Sequence, residues 1–371
     1  MVSPYALNRW GGVQGQAIGL ARSLRSFGHD VVVLGPADPG QDLPDNLGEH
    51  VVIGRPTRVP TNGSVAPVAL SPAAPIRLQR AVSRGGFDVV HVHEPLAPLA
   101  SYGLVLRCPA PMVATYHRAG VSHALAYFRP LAALVGRRMS VRVAVSEAAR
   151  QTGREYNSGE FEVLFNGIET GRFEAAKAVR DQEGRPVVAF VGRHEERKGL
   201  AILLEALDRI GGPAVLWIIG AGPDTEALRR RHPESDRVRW LGPLADDEVA
   251  ARLRGADVLC APSQYGESFG VVLLEGLVAD CLVVASDIEG YREAASGHAE
   301  LVAPGDAGAL ARGLDVALAE VATGKGRGSP DARAAARSYA YGWSMDTLAD
   351  RYVDFYEQAI DGGGSVRPHT D

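Results

Sequence analysis

Short apolar runs rich in Val, Ile and Leu recur along the chain, each followed by a longer stretch with helical spacing. They cover 29–35 (HDVVVLG), 87–93 (FDVVHVH), 110–117 (APMVATYH), 141–146 (VRVAVS), 185–192 (RPVVAFVG), 214–220 (AVLWIIG), 257–263 (DVLCAPS) and 281–286 (CLVVAS). Runs this continuous predict strands covered on both faces, and their alternation with helices predicts α/β architecture with doubly wound parallel sheets. The series halts near 162–169 (EVLFNGIE), crosses a charged segment without a strand pattern, 170–184, and restarts at 185. That gap predicts a boundary between a first Rossmann-like domain, 1–168, and a second, 169–342. A length of 371 residues also favours two cores over one. The helical pattern over 343–360 fits either domain and is assigned to the first, with a helix spanning 343–361. The polar, glycine-rich residues 362–371 are expected to be disordered. Only Met1 and Val2 precede the SPY turn, so the first strand is either very short or starts upstream, and the second is expected. Two doubly wound sheets joined in this way are expected to face a central cleft, lined by the C-terminal ends of their strands.

One stretch breaks the apolar logic. YGESFGVVLLEG, 265–276, has the look of a buried helix yet carries Glu267 and Glu275 on either side of its apolar run. Val271, Val272, Leu273, Leu274, Leu277 and Val278 leave almost no wet face for Glu275. A carboxylate so placed needs a partner or it discharges; the expected partner is a ligand.

Composition narrows the classes. No apolar run is long enough to span a bilayer, and MVSPYALNRW has no signal-peptide pattern. Cys108, Cys260 and Cys281 show neither disulfide nor metal spacing and read as buried residues of a reducing cytosol. The net charge of −5 conceals a split, with 16 Lys+Arg against 10 Asp+Glu up to residue 160 and 23 against 34 beyond it. Between His50 and Ser146 eleven arginines face only Asp88 and Glu94. Such a surface is either an Arg-rich composition without local purpose or a face that meets anionic lipid or a phosphorylated substrate. No nucleic-acid motif accompanies it.

Several segments could carry chemistry. VGRHEERKGL, 191–200, follows a strand and opens a helix, so Arg193 and Lys198 are placed to grip a phosphate, or are merely solvated beside Glu195 and Glu196. Gly220 and Gly222 in WIIGAGPD form a tight turn without the full dinucleotide fingerprint. Gly11 and Gly12 precede a helix and permit close approach of an anion, or form only a turn. His93, Glu94 and His117 end predicted strands, which raises them above ordinary structural histidines and carboxylates. D-x-D and H-E-x-x-H patterns are missing, so metal chemistry has no support.

Together these segments resemble the retaining family 4 glycosyltransferases of the GT-B fold. The resemblance runs through E-x-F-G…E at Glu267, Phe269, Gly270 and Glu275, and G-R…K-G at Gly192, Arg193, Lys198 and Gly199. GGVQ, HVHEP, TYH, FNG and Trp343–Ser344 extend it over nearly the whole chain. Through SPY…GGVQ, NGSVA (62–66) and CAPS-x-YGESFG the chain is most similar to the actinobacterial phosphatidylinositol mannosyltransferases. The resemblance implies a hexosyltransferase, with GDP-mannose as donor and no tightly bound cofactor. Arg193 and Lys198 would neutralise the departing diphosphate, aided by the Gly12 amide, with Arg197 and Ser268 in the same donor set. Glu275 would accept from the ribose and Glu267 from the sugar, while Phe269, Gly270 and Val271 offer amides. His117 would contact the sugar near the reacting carbon. Asp246 would read guanine, with Leu244 against the base. Tyr5, Gln14, Thr61 and Asn62 would contact an inositol phospholipid acceptor. The N-terminal domain would rest on an anionic membrane, and the enzyme would be cytoplasmic, peripherally bound to the inner face of the cell membrane.

The acceptor side departs from the family pattern. Pro67 stands where an arginine for the inositol phosphate follows NGSVA, and Thr61 replaces an aromatic residue. The helix APIRLQRAVSR, 74–84, keeps Arg77, Arg80 and Arg84 but has no lysine. Other readings are a family 4 transferase with another acceptor, a sugar-nucleotide epimerase on the same architecture, and a nucleotide-sugar-binding remnant without catalysis. Hydrolysis by a glycosidase-like carboxylate pair is disfavoured, because eight residues of helix would set the pair about 12 Å apart.

Overall fold

The apolar runs become the central strands of two separate sheets. The computed structural model describes residues 1–9, 11–61, 64–97, 102–118, 120, 129–267 and 269–362. The chain forms two units, one of Met1–Gly167 with Met345–Asp371 and the other of Ile168–Ser344.

Unit 1 starts with α1 (Gly12–Ser26), followed by β1 (Val33–Gly35), β2 (His50–Val52) and a hairpin of β3 (Thr57–Thr61) and β4 (Ser64–Val68). After α2 (Ala73–Gly85) come β5 (Val90–His93), α3 (Tyr102–Arg107), β6 (Met112–Tyr116), α4 (Arg129–Arg137), β7 (Val141–Ala144), α5 (Glu147–Tyr156) and β8 (Glu162–Val163). Val2 bridges Leu34 and Val92 in parallel, so one surface runs β2, β1, Val2, β5, β6, β7, β8. The first strand is thus represented by Val2 alone, which is 1% exposed. Because the order reverses between Val2 and β5, Tyr5, the start of α1 and Glu94 all follow strands that flank the switch point.

The terminal helix, Met345–Ile360, belongs to unit 1 and packs on α1, with Met345, Leu348 and Tyr352 against Leu20, Leu24, Val113 and Val143. At the other end of the same unit, Gln16 clasps Gly167, donating to its carbonyl (2.7 Å) and accepting from its amide (2.9 Å).

Unit 2 alternates α6 (Thr170–Ala175), β9 (Val187–Val191), α7 (Leu200–Leu207), β10 (Val215–Ile219), α8 (Thr225–Arg231), β11 (Val238–Gly242), α9 (Asp246–Gly255) and β12 (Val258–Ala261). It continues with α10 (Val271–Val278), β13 (Leu282–Ser286), α11 (Glu289–Ala295), β14 (Ala299–Val302), α12 (Ala307–Thr323) and α13 (Pro330–Tyr341). The sheet is parallel throughout in the order β11, β10, β9, β12, β13, β14. This is a doubly wound sheet whose order reverses between β9 and β12, and its ligand crevice is expected beyond the C-terminal ends of those two strands.

The division falls between Gly167 and Ile168, one residue from the expected place, and segment 170–184 lies within unit 2. It carries α6, and the Val179 amide donates to the Ala251 carbonyl (2.9 Å), so backbone pairing and not charge decides where it sits. Among the described residues six strands escaped the apolar reading, namely β2, β3 and β4 of the hairpin, β8, β11 and β14, besides Val2.

Candidate active site

The loops after β9 and β12 carry Arg193, Arg197, Lys198, Glu267, Phe269 and Gly270 of the residues that the sequence singled out. Three donors converge on one oxygen, Oε1 of Glu267: Lys198 Nζ at 2.7 Å, Arg197 Nη1 at 3.0 Å and Ser263 Oγ at 3.1 Å. Since Ser263 donates to Glu267, the buried Tyr291 hydroxyl donates in turn to Ser263 (2.8 Å). Burial pushes the Tyr291 phenol well up, which keeps it protonated for that role. Glu195, 5% exposed, holds the other side of the cluster, pairing with Arg193 Nη2 (2.9 Å) and Arg197 Nε (3.2 Å). Three cations thus share two carboxylates beside the start of α7, with Glu196 exposed next to them.

Two glycines fix the cluster. Gly220 has φ +119°, and a Cβ there would lie 2.1 Å from the Gly192 carbonyl oxygen, so the WIIGAG turn supports the Arg193 loop backbone to backbone. Gly270 begins α10 at φ +87°, where a Cβ would meet the Tyr291 ring at 2.5 Å. Helix α10 therefore starts at Val271 and Glu267 lies in the loop before it. This corrects the expectation of eight residues of continuous helix between the carboxylates, because only glycine at 270 permits the turn that ends the loop.

Glu275 lies on α10 with its side chain 17% exposed, and its partner is Arg172 of α6, whose Nη2 donates to Oε1. The same guanidinium reaches Asp246 Oδ1, at the first residue of α9, with Nη1 (3.5 Å). Burial pushes the Glu275 carboxyl up, opposed by Arg172 and reinforced by Asp246. The expectation of a ligand as the partner of the two carboxylates is thereby corrected: Glu267 meets Lys198, Arg197 and Ser263, and Glu275 meets Arg172. Sequence reading missed Arg172, Glu195 and Ser263. The pairings of Arg172 span 74 and 103 positions, and no local pattern reports them.

Phe269 is 1% exposed and packs edge-to-face on Trp343, with ring centroids 5.5 Å apart, so its side chain is a core anchor. Leu244 is half-buried just beyond β11, two residues before Asp246.

Unit 1 gathers a second set. His117 follows β6, Glu94 follows β5, Gln14 lies in the first turn of α1, and Tyr5 bridges Val68 at the end of the β4 strand. His93 Nδ1 and His117 Nε2 are hydrogen-bonded at 3.0 Å, and His91 stacks on His93 with centroids 4.2 Å apart. Burial pushes His117 down to about 3, so the imidazole is neutral. His91 is fixed by Thr115 (2.7 Å) and by Tyr356 of the terminal helix (2.8 Å). Glu94 combines three costly features. Its φ is +48°, its Oε1 is buried without a partner, and burial pushes its carboxyl up to about 7, while Oε2 accepts the His117 amide (3.0 Å). Costs concentrated on one residue point to function. Burial and the Glu94 carboxylate together push the Tyr5 phenol up.

Gly12 opens α1 with exposed backbone, and Gln14 donates to the Arg9 carbonyl (2.9 Å). Asn62 and Ser268 lie outside the described residues, as does the side chain of Thr61. Among the described residues no cluster of His, Cys, Asp and Glu could hold a metal ion, and no helix is long and apolar enough to cross a membrane.

Comparison with known proteins agrees with this geometry. Residues 10–172 match the model of Glycosyltransferase Family 4, and residues 185–320 that of Glycosyl transferases group 1. The phosphatidyl-myo-inositol mannosyltransferase of Mycolicibacterium smegmatis is 36% identical, over 99% of this chain and 95% of its own. That of Propionibacterium freudenreichii is 32% identical, over 78% and 77%. Among solved structures, Anabaena HepE in complex with UDP superposes with a TM-score of 0.76 at 19% identity, covering 96% of this chain and 99% of that one. Sucrose-phosphate synthase from Thermosynechococcus elongatus gives 0.75 at 19%, covering 98% of both. Two Rossmann-like units, one family model over each, and relatives of this identity along nearly the full length make the chain a member of glycosyltransferase family 4, of GT-B fold, in the family that includes the phosphatidyl-myo-inositol mannosyltransferases.

Proposed function

We propose that the protein transfers mannose from GDP-mannose to phosphatidylinositol, or to a close inositol-containing lipid, with retention of configuration. The observation that carries the reading is the convergence of Lys198 and Arg197 on Glu267 at the switch point of unit 2, with Arg193 alongside on Glu195. Cations already held in place stabilise the negative charge that develops on a leaving diphosphate without reorganising at the moment of reaction. Glu267 spends Oε1 on these donors, and its Oε2 takes part in none of the three bonds, so it accepts a sugar hydroxyl. Glu275 receives the ribose hydroxyls and Asp246 the guanine edge, to which a carboxylate is complementary through two N–H donors. His117, neutral and aligned by His93, contacts the sugar. The Gly12 amide adds a donor for the phosphates. Neither a metal nor a tightly bound cofactor enters this scheme.

The names of the 36% identical relatives support the acceptor. Tyr5 and Gln14 stand at the acceptor-contacting positions, and Asn62 and Thr61 complete that set. Where the lost arginine leaves Pro67, the hairpin register sets Arg58 directly opposite it, on the same face of the ribbon. Helix α2 buries Ala74, Leu78 and Val82 and exposes Ile76, Arg77, Arg80 and Arg84, an arrangement suited to anionic headgroups at the inner face of the membrane.

A donor-by-acceptor screen with purified protein, with and without anionic vesicles, tests the reading. It predicts turnover with GDP-mannose and phosphatidylinositol, faster on vesicles. Turnover confined to another donor or to a lipid-free glycan contradicts it.

A further inference from the structure

We propose that Arg172 is a positioning residue of the donor subsite, a guanidinium that ties the carboxylate for the ribose, Glu275, to the carboxylate for the base, Asp246, and so fixes which oxygens each presents. This rests on the donor assignment above and adds to it a residue outside the motifs.

Arg172 is held from several sides. Its guanidinium carbon lies 4.8 Å over the ring of Phe173, which is 1% exposed, and the Phe173 carbonyl accepts from Arg254 Nη1 of α9 (2.7 Å). Helix α6 is thereby tied to α9, and the Arg172 side chain is 14% exposed. From that position Nη2 donates to Glu275 and Nη1 reaches Asp246. A planar fork holds two carboxylates at fixed, diverging angles, whereas a lysine ammonium at the same place is a compact point charge that fixes neither orientation.

The pairing matters for binding because ribose hydroxyls donate, and an ionised carboxylate accepts from them far better than a protonated one. Glu275 sits among Leu273, Leu274, Leu277 and Val278, all buried, where desolvation favours protonation. Arg172 and Asp246 are the ionised groups that act on it. Other ionisable groups of the packed elements pair elsewhere, with Arg254 on the Phe173 carbonyl, Arg333 and Arg337 on Asp280, Tyr291 on Ser263, Arg292 on Asp287, Tyr339 on the Glu293 and Ala294 carbonyls, and Tyr341 with Glu174. Removing Arg172 therefore leaves desolvation and the Asp246 charge acting in the same direction, and Glu275 stays protonated to higher pH. Donor affinity in such a variant rises with pH more steeply than that of the wild type.

Calorimetric titration of GDP and of UDP into wild type, R172Q and R172K between pH 5.5 and 8.5 tests this. R172Q is expected to bind GDP about 10- to 100-fold more weakly at pH 6, the range for loss of a hydrogen bond to a charged group, and to recover in part towards pH 8.5. Its preference for GDP over UDP is expected to shrink as Asp246 loses its anchor. R172K is expected to fold and to fall between the two, so it decides the matter should R172Q fail to fold. GDP affinity of R172Q or R172K within twofold of wild type across the range overturns the proposal. Wild type that binds UDP and not GDP overturns the base assignment, and the Arg172 comparison is then read with UDP. Wild type that binds neither overturns both.

Discussion

Replacing Glu267 by glutamine separates the two roles its carboxylate is given. In the structure Oε1 alone receives Ser263, Arg197 and Lys198, and the two cations are only 16% and 19% exposed. Glutamine keeps an acceptor oxygen but removes the charge. A hydrogen bond to a charged group contributes about 1.5–3 kcal/mol, and here three share one oxygen near solvent, so the expected loss of stability is about 1–3 kcal/mol. Unit 2 runs from Ile168 to Ser344. For a domain of that size each kcal/mol shifts Tm by about 2–4 °C, so calorimetry should find its transition lowered by roughly 2–12 °C. Catalysis should suffer differently. If Glu267 holds a sugar hydroxyl mainly in the transition state, kcat falls about 10²- to 10³-fold, the scale for losing one preorganised polar contact. GDP binding should stay equal or tighten, since Lys198 and Arg197 are released towards the phosphates. Steady-state kinetics beside GDP titration reads both quantities. A kcat within twofold of wild type refutes the sugar-holding role, and a kcat loss matched by an equal loss of GDP affinity makes Glu267 a scaffold for the loop.

Glu94→Gln should stabilise the protein with a definite pH signature. The folded carboxyl lies at about 7, above the ordinary value near 4.3, so the wild type loses stability as pH rises between them. The gain of the variant should grow from nothing at pH 4 to about 4 kcal/mol well above pH 7 in denaturant titrations, and parallel curves would contradict this. His93→Asn sets an amide where Nδ1 meets His117 and should keep kcat within about fivefold, whereas His93→Leu should lose about 10- to 100-fold with donor KM unchanged. Equal effects of the two would show that the hydrogen bond does not align His117. Arg58→Ala should raise the KM for phosphatidylinositol about tenfold and leave that for GDP-mannose unaltered. An unchanged acceptor KM removes Arg58 from the headgroup site.

What the sequence disclosed follows from what each strand touches. β9, β10, β12 and β13 are covered on both faces, so VVAFV, VLWII, VLCA and LVVAS read as unbroken apolar runs. β11 and β14 lie at the sheet edges and carry Arg239 and Glu300, which break the run. Pro60 and Pro67 hid the β3–β4 hairpin, since proline argues against a strand unless it can sit at an edge. The cationic loop was legible because Arg193, Lys198 and the glycines around them lie within one strand–loop–helix passage. The partners of its carboxylates were not. Arg172 stands in a charged stretch that promised only a linker, and Glu195 looked like one charge among several until it was found 5% exposed between two arginines. Buried charge invites a ligand when only its neighbours in sequence are known, and the fold supplied cations from far along the chain.

The most direct test of the account is the product of one reaction, with wild-type protein, GDP-mannose and phosphatidylinositol in anionic vesicles, followed by mass spectrometry and NMR of the lipid. The account predicts phosphatidylinositol carrying a single α-linked mannose, formed in equal amount to the GDP released and lost in a Lys198→Ala variant. Free mannose beside unaltered lipid, or a β-linked product, would contradict it.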